Sequence, residues 1–194
     1  MNLIKNIYNW TLDKSAHPKA KWFLAFISFA ESSFFPIPPD VVLIPMIIAK
    51  RASAFLYALI CTLSSVIGGV FGYLIGLFFF NSIGLLIVNY YGLYDQFSSF
   101  ENYYSKYGVW IVLGAGFTPF PFKFITIASG FFNFNIFYFI GLSLIARGLR
   151  FYILAILLKV FGDQIEQMIN KYFNILVTIF FILLVGSIII LKIL

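Results

Sequence analysis

Between Trp22 and Ala49 the chain is apolar except around Ala30-Glu31-Ser32-Ser33-Phe34-Phe35-Pro36-Ile37-Pro38-Pro39-Asp40. That stretch sets two carboxylates, Glu31 and Asp40, and three prolines, Pro36, Pro38 and Pro39, in the middle of the run. A charge at membrane depth costs about 2.5–3.5 kcal/mol on insertion scales, so it faces protein or water. Proline lacks the amide hydrogen and cannot continue a helix. Broken backbone in the hydrocarbon region is tolerated only where it is buried in protein or lines a wet cavity. The stretch therefore reads as the tip of a re-entrant hairpin rather than a plain span. A second copy follows as Gly116-Phe117-Thr118-Pro119-Phe120-Pro121-Phe122-Lys123. Aligning Pro36 with Pro119 and Pro38 with Pro121 sets Asp40 opposite Lys123, so the two hairpins carry opposite charges.

The rest of the sequence supports a membrane setting. It is 62% hydrophobic and 10% charged, and its mean hydropathy is +0.98, which excludes an ordinary soluble domain. No charged residue lies between Ala52 and Tyr94 or between Tyr172 and Leu191. Either stretch exceeds or meets the need for about 20 apolar residues to span a bilayer. The expected fold class is an all-α polytopic membrane protein forming a single domain over residues 1–194. The net charge of +6 comes from scattered or intramembrane bases, which suit positive-inside topology and anionic lipid; no nucleic-acid partner is expected. Cys61 is the only cysteine, so no intrachain disulfide exists. His17 lies in a basic segment without ligand-spaced neighbours, and neither a metal nor a cofactor is expected.

Taken in order, residues 1–21 read as an interfacial segment. Leu3, Ile7 and Trp10 share one face of a helix with bases interspersed, as in an N-terminal amphipathic helix. Residues 22–80 form the first repeat, a hairpin followed by a span. Within that span Ser64, Gly68, Gly72 and Gly76 recur every four residues, a small-residue stripe for close helix packing. Residues 81–107 carry Asp95, Glu101 and aromatic residues at helical spacing, and read as an external interfacial linker. Residues 108–161 form the second repeat, whose helix from Ile136 carries Arg147 roughly 16 Å from its start and Arg150 on the same face. Residues 172–191 are a final transmembrane helix. Lys5, Lys14, Lys19, Lys21, Lys50, Arg51, Lys159 and Lys171 then fall inside, against Lys106 and Lys192 outside. That bias puts the N-terminus in the cytoplasm, in a bacterial inner membrane.

A hairpin and span entered first from inside and then from outside is an inverted repeat, in which broken helices meet near the midplane at the transported species. The candidate transport, proton or headgroup residues are Glu31, Asp40, Lys123, Arg147 and Arg150. Two negative charges against three positive leave a surplus cation, and guanidinium geometry suits phosphate. Pro36, Pro38, Pro39, Pro119 and Pro121 are the hairpin breakers. No catalytic constellation accompanies Ser32 and Ser33, so an enzyme is not expected. A proton-coupled small-solute or ion transporter and a structural or assembly protein remain the alternatives to lipid transport. Assembly as a homo-oligomer stays open.

These motifs carry a resemblance. Glu31 with Pro36-Ile37-Pro38-Pro39-Asp40, the run Gly68-Gly69, Gly72-Tyr73 and Gly76, then Tyr107-Gly108, Pro119, Lys123, Ala128-Ser129-Gly130, and Arg147 with Arg150-Phe151 look like the DedA family. The family is also named for the VTT domain and for SNARE-associated Golgi proteins, and the likeness is nearest its small YqaA-like branch. The resemblance covers roughly residues 22–162. It implies movement of a phospholipid or polyprenyl-phosphate carrier between leaflets, with an acidic pair matching Glu31 and Asp40 and a base matching Lys123. A family arginine preceding the second proline motif is replaced here by Gly116-Phe117-Thr118, leaving Arg147 or Arg150 as the source of that charge.

Overall fold

The computed structural model describes residues 19–162 and 164, apart from 36, 80, 81, 83, 84, 93 and 119. The expected amphipathic helix near the N-terminus, His17, the final span at 172–191 and two of the breakers, Pro36 and Pro119, lie outside the described residues. Regular structure among the described residues is helical, with no strand. Helix α1 spans Ala20–Ser33, α2 Asp40–Ala49, α3 Ala54–Phe79, α4 Leu85–Tyr91, α5 Tyr94–Phe117 and α6 Phe122–Phe131. Helix α7 spans Ile136–Gly162.

Proline sets the breaks. The last amides of α1, at Phe34 and Phe35, both reach back to the Ala30 carbonyl, and α2 begins only after Pro39. The second break ends likewise at Pro121, whose extended backbone precedes α6. The return from α6 into α7 is closed differently. Asn133 takes a positive φ of 52°, while its amide bonds Gly130 and that of Phe134 bonds Ser129, the paired pattern of a Schellman end. Asn135 Oδ1 then accepts from the amides of Phe137 and Tyr138 and caps α7.

Helix α5 runs unbroken through Gly108, across the boundary read between the linker and the second repeat. A helical glycine costs only about 1 kcal/mol relative to alanine. Here the Phe134 ring packs close over the bare Cα. The chain turns at Gly92, where φ is +65°.

Two apolar clusters divide the molecule. The first joins Leu24 and Ile27 of α1, Val42, Leu43, Met46 and Ile47 of α2, the start of α3 and Phe151, Ala155 and Leu158 late in α7. The second joins Val112 and Ala115 of α5, Phe122 of α6, Tyr73 late in α3 and Phe139 early in α7. The start of α3 thus shares a cluster with the end of α7, and its end with the start of α7. The two long helices run in opposite directions, each helix–break–helix unit covering one end of the pair. At about 1.5 Å per residue both exceed the roughly 30 Å of a bilayer core. Their outward faces carry Leu63, Ile67 and Phe78 on α3 and Phe137, Ile145 and Leu149 on α7, all exposed. A soluble core helix hides such residues; these fit a lipid-facing surface.

The stripe Gly68, Gly72 and Gly76 is where other helices cross α3. A Cβ at Gly68 would stand 2.2 Å from the Phe29 carbonyl oxygen of α1, and one at Gly76 would stand 2.0 Å from that of Ile127 in α6. A Cβ at Gly130 of α6 would likewise stand 1.8 Å from the Tyr73 carbonyl oxygen of α3. Because backbone meets backbone, nothing flexible can yield. Gly76→Ala should therefore cost about 1–3 kcal/mol, read as a lowered unfolding temperature in detergent. Gly114→Ala, with nothing within 4 Å of its Cβ position, should be neutral or slightly stabilising. Equal stability of the two variants would refute the crossing argument.

Candidate functional site

The polar site lies between the two apolar clusters, at mid-length of α3 and α7. Arg147 is fully buried. Its Nη2 donates to Glu31 Oε2 at 2.5 Å, and its Nε donates to Ser65 Oγ at 2.6 Å. Ser65 and Ser32 hydroxyls lie 2.6 Å apart, and Ser32 Oγ donates to Glu31 Oε2 at 3.1 Å. One proton arrangement satisfies the whole ring: Arg147 donates to Ser65, Ser65 to Ser32, and Ser32 to Glu31. The guanidinium also sits over two rings, with Cζ 5.2 Å from the Phe122 centroid and 4.8 Å from that of Phe151. Desolvated cation–π contacts of this kind contribute about 2 kcal/mol. A buried cation thus has a carboxylate, a hydroxyl and two aromatic faces, drawn from α1, α3, α6 and α7.

One turn along α7, Arg150 reaches outward. Its Nη2 pairs with Asp40 Oδ2 at the start of α2, and its Nη1 donates to the Thr118 carbonyl at 3.2 Å. Arg150 therefore bridges the two helix breaks. This pair is more open, with side chains 19% and 21% exposed. Around the site Ser33 Oγ donates to the Gly68 carbonyl at 2.9 Å, and Thr126 Oγ1 donates to the Ser32 carbonyl at 3.0 Å. The second bond joins α6 to α1 directly, over Gly72. Three buried polar atoms have no partner among the described residues: Asp40 Oδ1, Arg147 Nη1 and Ser143 Oγ.

Asp40 does not pair with Lys123, the residue that stands opposite it when the repeats are aligned. Arg150 takes that place. Three-residue spacing on α7 presents both guanidinium groups toward the first helix–break–helix unit, one to each of its carboxylates. Lys123 is half-buried, its Nζ 5.6 Å from the Phe124 ring centroid, and no carboxylate among the described residues pairs with it. It is the surplus cation. Of the described breakers, Pro39 directly precedes α2 and Pro121 directly precedes α6, with Pro38 in the first break.

The sequence profile described as the VTT domain matches residues 37–160. The chain belongs to this family, the DedA family. The match holds Asp40, Lys123, Arg147 and Arg150, with Glu31 just before it. A relative from Haemophilus influenzae is 35% identical over 176 residues, 91% of each chain. Another from Histophilus somni is 31% identical over 174 residues, 88% of this chain and 91% of its own. Both are described as uncharacterized proteins. No solved structure is significantly similar to the chain.

In this VTT-domain protein, the site residues the charge pattern did not single out are the hydroxyls and rings: Ser32, just before the matched region, and Ser65, Thr126, Phe122 and Phe151 within it. Serine and threonine are common in apolar helices, where they bond their own backbone or a neighbouring helix, so residue type alone does not mark them. One signal was present. Ser65 adjoins the small-residue stripe, and so lies at the helix crossing that also brings in Ser32.

Proposed function

We propose that this VTT-domain protein is a lipid transporter that lets an anionic headgroup cross between leaflets while the acyl chains stay in lipid. The observation that carries this reading is the paired-charge site at mid-length of two membrane-length helices, bridged by Arg150 to both helix breaks. In this reading each helix–break–helix unit is re-entrant. At about 1.5 Å per residue, α2 and α6, with 10 residues each, are too short to cross a bilayer core. The headgroup binds at Arg150, with Lys123 adding charge, and is an anionic phospholipid or a polyprenyl phosphate. Glu31 and Asp40 are carboxylates a proton could couple to. The partners are membrane lipids and the setting is the bacterial inner membrane. No enzymatic step is assigned to the chain.

A structural role is the competing reading, because each buried carboxylate already has its own arginine. Lys123 counts against it, since a network built only for packing gains nothing from an unpaired cation. Purified protein in liposomes should accelerate leaflet exchange of a labelled anionic phospholipid over protein-free vesicles. No acceleration of any labelled lipid would refute the proposal. The topology is tested separately: cysteine introduced at Lys50 should react with an impermeant reagent from the cytoplasmic side, and cysteine at Ser98 from outside. Labelling of both from one side would remove the inverted orientation.

A further inference from the structure

The two ion pairs are built differently. Glu31 and Arg147 are enclosed by a ring of hydroxyls and two aromatic faces, so opening that pair means opening the core. Asp40 and Arg150 are each about one-fifth exposed. Asp40 holds Arg150 through Oδ2 alone, while its Oδ1 is buried with no donor among the described residues. A carboxylate left half-satisfied costs less to withdraw. Arg150 meanwhile keeps its bond to the Thr118 carbonyl, so the guanidinium stays in position after the carboxylate leaves.

From this geometry we infer that Asp40 is a displaceable stand-in for the substrate's phosphate on Arg150, and is therefore the residue that releases the headgroup. The inference rests on the lipid-transport reading and goes a step past it. Carboxylate and phosphate oxygens are the same kind of acceptor for a guanidinium fork. Exchanging one for the other never leaves a desolvated cation without an anion, the state that would impose the largest penalty. Arriving phosphate displaces Asp40, and the returning Asp40 expels the phosphate. No bond is made or broken covalently. Asp40 is a positioning residue acting through Arg150, and the inner pair holds the frame against which it moves.

The test compares binding with exchange. Purified wild type, Asp40→Asn and Arg150→Gln are titrated in detergent with dihexanoyl phosphatidylglycerol and, separately, with sodium phosphate. The same proteins are assayed for leaflet exchange in liposomes. Asp40→Asn should bind the short-chain lipid about tenfold more tightly, having lost a charged competitor, yet exchange lipid more slowly because release is impaired. Arg150→Gln should lose binding. A merely structural Asp40 would weaken binding and exchange together, and that result overturns the inference while leaving wild-type lipid exchange, and so the transport reading, standing. A gain confined to sodium phosphate, without lipid binding or exchange, supports displacement and overturns the lipid reading. Infrared difference spectra of wild type with isotope-labelled aspartate do not depend on a folded Asp40→Asn variant. Adding the lipid should shift a carboxylate band, and the shift should be absent in Arg150→Gln; an unchanged wild-type spectrum overturns displacement.

Discussion

Glu31→Ala should destabilise the protein by about 3–5 kcal/mol, because it strands a buried guanidinium. Arg147 is fully enclosed, so it cannot swing into solvent for a new anion. Its remaining hydrogen bond is to Ser65, and the Phe122 and Phe151 rings against its face carry no charge to replace the carboxylate. Replacing both charges, as Glu31→Met with Arg147→Met, should recover most of that loss. Apolar side chains of similar volume often match or exceed a buried ion pair in stability, and methionine packs well against aromatic rings. Ser32 and Ser65 keep the hydrogen bond across their 2.6 Å contact. Unfolding in detergent reads the stability and leaflet exchange in liposomes reads the function. A stable double variant without exchange would assign the inner pair a part in transport. A stable double variant exchanging at the wild-type rate would make the inner pair a structural clamp and remove Glu31 and Arg147 from the translocation site.

The sequence made the charged residues legible because charge in an apolar run is costly and conspicuous. Glu31, Asp40, Arg147 and Arg150 do come together. Their partnerships were not legible. Aligning the two proline motifs places Asp40 and Lys123 at equivalent positions, but equivalence in a repeat is not adjacency in space. Adjacency is decided by which face of α7 turns toward the first break, and that depends on helix crossings at Gly68, Gly72 and Gly76 set by backbone contact. The glycine spacing announced that something crosses there. It could not say that α1 crosses at Gly68 and α6 at Gly76. The boundary read between residues 107 and 108 has no break in the backbone, because α5 continues through Gly108, where the Phe134 ring occupies the space a side chain would take.

The symmetry of the packing explains why a site forms where it does. Each apolar cluster combines one helix–break–helix unit with opposite ends of α3 and α7, so the clusters thin out at mid-length of both helices. Polar side chains from α1, α3, α6 and α7 converge in that gap, where Thr126 bonds the Ser32 carbonyl and Ser65 meets Arg147. At the edge of the same gap Arg150 and Asp40 form the more exposed of the two ion pairs.

Arg150→Gln should therefore be the substitution that most reduces exchange of anionic lipid while sparing the fold. Glutamine keeps a polar, uncharged end on a side chain that is already partly exposed, and Asp40, equally exposed, can be solvated. The loss is of charge-assisted hydrogen bonds to phosphate, about 1.5–3 kcal/mol, which amounts to roughly a ten- to hundredfold slower exchange. Lys123→Gln should act in the same direction but less, because an ammonium is a point charge rather than a bidentate fork. Zwitterionic lipid should be slowed less than anionic lipid by both substitutions, since its amine already offsets its phosphate. Exchange rates of matched anionic and zwitterionic lipids, in liposomes of equal protein content, supply the comparison. Equal slowing of the two lipid classes by Arg150→Gln would mean that Arg150 supports the pathway without reading headgroup charge. Wild-type rates in both variants would mean that the headgroup passes elsewhere.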